Sequence, residues 1–208
     1  MAETPLRQSP LGQFISENRN PVPTREDGVI LTEIAFLGYI NLRGNPREKG
    51  FLKAVEKTLG VDLPLKPNTR SVANKVNILW LGPDEWLLIT PSDQETHLSQ
   101  TLGNSLSQIH ASVTDITGGQ TLLKLSGQSS AKLIAKGCSL DLHPRVFGSD
   151  QCAQTLLAKT PIVIWKPDGT SSYNIIVRRT YADYLAYWLK DAGYEYGLTL
   201  LPESSAST

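Results

Sequence analysis

A chain of 208 residues, 40% of them hydrophobic, can bury enough surface to hold a core without disulfide or metal staples. Twenty basic and twenty acidic side chains cancel to a formal net charge of zero, which argues against nucleic acid or an anionic membrane surface as the main partner. Two cysteines are too few for a secreted disulfide framework, no apolar run is long enough to span a bilayer, and the first residues lack a signal-peptide pattern, so the expected setting is the cytoplasm.

Residues 1–28 contain Pro5, Pro10, Pro21 and Pro23 among scattered apolar letters and are expected to form an extended arm that could lie across a partner. Removing Met1 to Thr24 is accordingly expected to weaken assembly without unfolding the rest. The run Leu31 to Leu42, rich in β-branched and aromatic residues, predicts a strand. Asn45, Pro46 and Glu48 then open a helix whose stripe is Phe51, Leu52, Val55 and Leu59, ended by Gly60. "VNILWLGPDEWLLIT" predicts two strands joined at Gly82-Pro83-Asp84. Ser92 and Glu95 have capping-box spacing before a helical face of Leu98, Leu102 and Ile109.

The second half follows the same grammar. "TLLKLSG" predicts a strand ending in Gly127, "QSSAKLIAKG" a short helix stopped by Gly137, and Gln154 to Arg179 a hairpin turning at Pro167-Asp168-Gly169. Thr180 and Asp183 repeat the capping-box spacing, and Tyr181, Tyr184, Leu185, Trp188 and Leu189 are placed on one helix face before Gly193. Leu42-Arg43-Gly44-Asn45 parallels Leu125-Ser126-Gly127-Gln128, Val61-Asp62-Leu63 parallels Leu140-Asp141-Leu142, and Trp80 set on Trp165 also matches Ala73 to Ala158. The expectation is an α+β fold of duplicated βαββα-type units packed into one domain. That domain spans 29–198, with pseudo-repeats at about 29–112 and 113–198, followed by a flexible tail at 199–208.

Chemistry is harder to find. No glycines stand at P-loop or dinucleotide spacing, and Gly118-Gly119 is explained by a turn before a strand. Cys138, His143 and Cys152 have spacings of five and nine without a fourth ligand, unlike a zinc site, and His97 and His110 are placed on the surface. Ser129 and Lys132 match a Ser-x-x-Lys string whose partner motifs are absent, so helix capping by Ser129 explains it better. Cys138 follows a helix C-terminus, where the dipole disfavours thiolate. Asp84 and Glu85 share a turn, with Asp168 in the matching turn, which favours solvated turn residues over paired catalytic carboxylates. Asp115, before the "GGQTLLKL" strand, is the polar group best placed to be held fixed, though a local turn bond also explains it. No catalytic, cofactor-binding or metal residue is therefore assigned. Seven tyrosines and four tryptophans favour a protein interface.

Taken together and in order, "LGPDEWLLI", "SVTDITGGQTLLKLSG", "KLIAKGCSLDLHPRVF", "CAQTLLAKTPIVIW" and "YADYLAYWLKDAGYEYG" resemble the gamma subunit of heterotetrameric sarcosine oxidase, over about Ser9 to Leu198. That family is similar to the folate-binding part of glycine-cleavage aminomethyltransferases, itself a duplication. The resemblance implies a non-catalytic assembly subunit, contacting mainly the alpha subunit beside beta and delta, with no cofactor in this chain. FAD, FMN, NAD and tetrahydrofolate would be held by the partners, while the complex oxidises sarcosine to glycine with hydrogen peroxide and 5,10-methylenetetrahydrofolate. Two other readings are a stand-alone folate-binding protein, with Asp115 as its candidate carboxylate, and the equivalent subunit of a related N-methyl amino acid oxidase or dehydrogenase. The expected docking surface is the arm and one exposed sheet edge.

Overall fold

Strand β2 (Gly38–Gly44) shows how the layers arise. Successive strand side chains point to opposite faces. Tyr39 packs with Leu79, Ile89 and Trp165 on one side, and Ile40 and Leu42 pack with Phe51, Val55 and Trp86 on the other. A strand apolar on both faces needs cover on both. The second sheet divides in the same way, with Leu123, Ile164 and Ile175 facing helices, and Leu122, Trp165 and Ile176 facing the first sheet. Helix, sheet, sheet and helix stack as four layers of an α+β fold.

The structure, a computed structural model, describes residues 7–18, 28–167 and 171–201. The five-stranded sheet runs β3 (Arg70–Ala73), β4 (Val76–Gly82), β5 (Glu85–Thr90), β2 and β6 (Ala111–Asp115), with α2 (Lys49–Leu59) and α3 (Glu95–Ser105) on its outer face. The six-stranded sheet runs β11 (Thr199–Leu201), β1 (Ile30–Ile34), β7 (Gln120–Ser126), β10 (Ser172–Arg178), β9 (Thr160–Trp165) and β8 (Cys152–Leu157). Its outer face carries α1 (Gly12–Glu17), α4 (Ser130–Ala135) and α5 (Arg179–Ala192).

The two halves exchange strands. β1 leads into β2 but pairs with β7, Glu33 opposite Leu123; β6 leads into β7 but pairs with β2, Asp115 opposite Ile40. Matching Gly44 to Gly127 puts Ile40 on Leu123, and so Glu33 on Asp115. Each half thus completes its sheet with a strand from the other.

Leu31 to Leu42, expected as one strand, is two. The break falls at Ala35 to Leu37, where Phe36 takes a φ of 63°, a left-handed conformation that a run of strand-forming letters does not reveal. The arm is not extended throughout either. α1 forms within it, Leu11 and Phe14 are buried, and the Phe14 ring meets Tyr187 edge-on with centroids 4.9 Å apart. Deleting Met1 to Thr24 would take both side chains out of the core, so a truncation that spares the fold is no longer expected.

α2 starts at Lys49, three residues later than Pro46, and Asn45 does not cap it: its Oδ1 accepts from Arg47 N at 3.0 Å and its O from Glu48 N at 3.0 Å in a turn ahead of the helix, while Gly60 ends the helix in the left-handed region as expected. Neither predicted capping box forms. Glu95 is drawn inward to Arg7, and α5 starts at Arg179, ahead of Thr180. Ser129 is buried and makes no cap bond. On α5 the buried stripe is Ala182, Leu185, Ala186 and Leu189, because small residues let the helix approach the sheet; Tyr181 and Tyr184 instead face solvent.

The stretch Gln154 to Arg179 contains three strands, with an additional turn at Ala158-Lys159 where Ala158 takes a φ of 53°. Asp168 and Gly169, assigned to the second turn, lie outside the described residues. β3, β6 and β11 were not foreseen, and β11 occupies the start of the expected tail. Runs of three to five residues carry too little periodicity to be read.

Candidate functional site

The acidic turn between β4 and β5 is scaffold. Asp84 Oδ2 lies 3.4 Å from Arg43 Nη2, both side chains being more than half exposed, and Asp84 O accepts from Gly44 N at 3.1 Å. Glu85 turns away to accept from Asn41 Nδ2 at 2.7 Å, so the neighbouring carboxylates do not act together. Trp86 is fully buried; its Nε1 donates to Pro64 O at 2.8 Å and its ring lies against Phe51, centroids 5.8 Å apart. Since exposed ion pairs contribute little, Asp84→Ala should cost under about 1 kcal/mol in thermal denaturation. A loss of several kcal/mol would show that the turn carries more than its geometry indicates.

A cleft of about 430 Å³ opens where the exchanged strands turn, among the β1–β2 turn, the β6–β7 turn and the N-termini of α3 and α5, with Arg7 to Pro10 crossing it. It is in the size range of small-molecule sites. Glu95 lies on its wall, 3% exposed, in the first turn of α3 where negative charge is favoured. Glu95 Oε1 accepts from Arg7 Nη2 at 3.2 Å, and Arg7 Nη1 also meets Asp93 Oδ1 at 2.9 Å. Glu95 Oε2 makes no hydrogen bond to a described residue. Gly38 makes room for this carboxylate, because a Cβ there would stand 2.2 Å from Thr90 Oγ1 and 2.8 Å from Glu95 Oε2.

A second buried carboxylate lies close by in sequence to the β1–β2 turn. Glu33 accepts from Thr121 Oγ1 at 2.7 Å and from Ser9 Oγ. Burial, with the Glu33 charge beside it, pushes the Tyr39 phenol above its ordinary pKa and keeps it neutral. The sequence marks Glu95 only as a capping-box residue and Glu33 not at all, although Glu33, a lone charge inside the apolar run "ILTEIAFL", is the available signal.

Asp115 does line the cleft, but it is exposed and its Oδ1 accepts from Thr117 N at 2.9 Å, a local turn bond. Arg179 spends one donor on Gln8 O at 2.8 Å. Among the described residues the cleft is lined by two carboxylates, two guanidiniums and the hydroxyls of Thr96, Thr117 and Thr121, with no Ser, Cys, His, Tyr or Lys; the Thr121 hydroxyl, bonded to Glu33, is buried with it.

Elsewhere the candidates stay apart. Cys138 and Cys152 are buried; burial pushes the Cys152 thiol up to about 11, and its Sγ lies 3.3 Å from Thr69 O. His97, His110 and His143 are exposed, and His143 Nδ1 accepts from Arg145 N at 3.2 Å. Ser129 is buried while Lys132 is exposed. Gly118 takes a φ of 86° in a turn closed by Gly119 N donating to Ile116 O at 3.2 Å. Among the described residues no three His, Cys, Asp or Glu side chains are grouped to hold a metal ion.

Residues 43–195 match the profile of the sarcosine oxidase, gamma subunit family. The chain is 34% identical over 196 residues to sarcosine oxidase subunit gamma of Corynebacterium sp. strain U-96, covering 93% of each, and 32% identical over 194 residues to that of an Arthrobacter species, again covering 93% of each. Among solved structures it is similar to a chain of the heterotetrameric sarcosine oxidase from Corynebacterium sp. U-96 in complex with pyrrole 2-carboxylate, with a TM-score of 0.84, 31% identity and coverage of 92% of this chain and 96% of that one. The glycine cleavage system aminomethyltransferase T from Bartonella henselae shares the fold alone, with a TM-score of 0.64 and 16% identity over 92% of this chain and 51% of that one.

Proposed function

Because the chain belongs to the sarcosine oxidase gamma subunit family, and is thus a subunit of an oxidoreductase complex, we propose that it serves assembly and stability and carries no catalytic or cofactor-binding residue of its own. The observation that carries this reading is the cleft: it has the size of a ligand site, yet Glu95 is paired to Arg7, Asp115 is held by a local turn bond, and the Thr121 hydroxyl bonded to Glu33 is buried. The alpha subunit is the proposed main contact within a heterotetramer, beside beta and delta. Those partners would hold FAD, FMN, NAD and tetrahydrofolate, and the whole would convert sarcosine, oxygen and tetrahydrofolate to glycine, hydrogen peroxide and 5,10-methylenetetrahydrofolate.

Residues 29–198 are proposed to be two pseudo-repeats, about 29–112 and 113–198, with β11 added to the second. The strand exchange of β1 and β6 supports this division. The proposed compartment is the cytoplasm; among the described residues no helix is long and apolar enough to cross a membrane.

The experiment is purification of the chain alone and with its companions. Alone it should be colourless, fail to turn over sarcosine and show no saturable binding of a reduced folate; tagged in the presence of its companions, it should bring down the other subunits. Flavin absorbance, sarcosine turnover or folate saturation by the isolated chain would overturn the proposal.

A further inference from the structure

β1 and β6 occupy equivalent places, each leading into a strand of its own half while pairing with the other half. Their outer sides differ. Along β1 runs β11, parallel, with Ile30 opposite Thr199 and Thr32 opposite Leu201, and Thr199 N donates to Val29 O at 2.9 Å. Along β6, the last strand of its sheet, no described strand runs.

The register identifies the open groups. Ile116 N donates inward to Tyr39 O at 2.9 Å. Alternation along an antiparallel ladder then turns Ser112 and Thr114 inward and leaves the backbone N–H and C=O of Ala111, Val113 and Asp115 pointing out. By the equivalence of Glu33 with Asp115, Ala111 and Val113 correspond to Val29 and Leu31, the part of β1 that β11 covers. Leu31 is accordingly 2% exposed, whereas Val113 is only half-buried and Asp115 exposed.

Open strand edges are usually blunted by lysine, proline, a bulge or a covering segment. β6, with the sequence Ala-Ser-Val-Thr-Asp, has no lysine or proline and pairs with β2 without a register shift. The edges at the far side of the sheets are treated differently. β3 and β8 meet there through the Thr69–Gln151 bridge, with Arg70 N donating to Asp150 O at 2.8 Å and Cys152 N to Asn68 O at 3.0 Å.

We infer that the β6 edge receives an extended segment of a partner subunit, running parallel to β6 and bonded to the backbone of Ala111, Val113 and Asp115 as β11 is bonded to β1. The inference rests on the proposed subunit role and names the surface that role uses. The chemistry of the incoming strand follows from its neighbours. Ala111 and Val113 pack with the cluster under α2 and α3 that contains Leu102 and Leu106, so the residues beside them are apolar. Ser112 and Thr114 are both at hydroxyl distance from each other, 3.2 Å, on the opposite face, so the residues beside them are polar. The partner segment therefore alternates apolar and polar, and joins by main-chain hydrogen bonds.

Hydrogen exchange on the full chain, free and in the complex purified with its companions, tests this. The Val113 and Asp115 amides should exchange rapidly in the free chain at low concentration and at least about tenfold more slowly in the complex, the effect of one well-made hydrogen bond. Val113→Pro removes an outward donor while sparing the inward ladder, and should weaken assembly roughly tenfold with the free variant still folded by thermal melting. Amides already protected in the free monomer would mean that the chain's own termini cover the edge; protection that accompanies dimerisation would mean a second copy does. Either result overturns the inference. Rapid exchange in an intact complex overturns it too but leaves the subunit role standing, whereas failure of the unaltered chain to join any complex removes both.

Discussion

Gly127→Ala should lower the thermal midpoint of the isolated chain by about 10 °C or more, the result of a loss of about 4 kcal/mol in a chain of this size. Two costs coincide there. Gly127 has a φ of 115°, a backbone conformation that L side chains rarely adopt, and a Cβ would stand 2.0 Å from Gly28 O and 3.3 Å from Val29 Cα. Those atoms are backbone, and they lead directly into β1, so relief would have to come from shifting an exchanged strand. Gly127 also ties its surroundings, its N donating to Ser171 O at 3.2 Å and its O accepting from Ser130 N at 3.1 Å. Gly118 provides the comparison, with a φ of 86° and nothing within 4 Å of the added Cβ. Gly118→Ala should cost about 1 kcal/mol, the backbone strain alone. Equal losses at the two positions would contradict the close approach of β7 to the start of β1.

Trp86→Ala should cost about 4 kcal/mol, with a fall in thermal midpoint of roughly 8–16 °C, because a fully buried indole is replaced by a cavity. The substitution also leaves Pro64 O without its 2.8 Å donor and Phe51 without its ring neighbour. Trp80, the other tryptophan of the hairpin, is only half-buried and packs at the border of the same cluster. Its replacement by alanine should cost about half as much, in line with the smaller area removed from water. A Trp86→Ala loss under about 2 kcal/mol, measured by chemical denaturation with an unchanged m-value, would show that the hairpin is not anchored as described.

What could be read in advance depended on the length of each signal. The stripe Phe51, Val55 and Leu59 runs over three turns and is buried as expected, and the Pro83-Asp84 turn is marked by its letters. The sequence marks α5 as a helix and two of its buried positions, Leu185 and Leu189, but its Tyr181 and Tyr184 face solvent. In the fold, Ala182 and Ala186 take those places, which favours close packing over bulk. β6 and β11 are too short for periodicity, and the pairing of β1 with β7 is long-range, so nothing local records it. The same holds for the cleft. Asp115 is legible because a turn follows it, whereas Glu95 has the spacing of a capping residue and is instead paired to Arg7, 88 positions away.

The central claim is that this chain holds the complex together and does no chemistry in it. Asp115 is the decisive residue, because it lines the cleft, is exposed to whatever enters, and was the carboxylate best placed to act. Asp115→Asn keeps an oxygen able to accept from Thr117 N, so the turn and the β6 backbone should survive. The measurement is sarcosine turnover per assembled complex carrying Asp115→Asn. It should stay within about twofold of the unaltered complex, whereas a loss of about 10²-fold or more in a fully assembled complex, the scale of a missing general acid or base, would contradict the account.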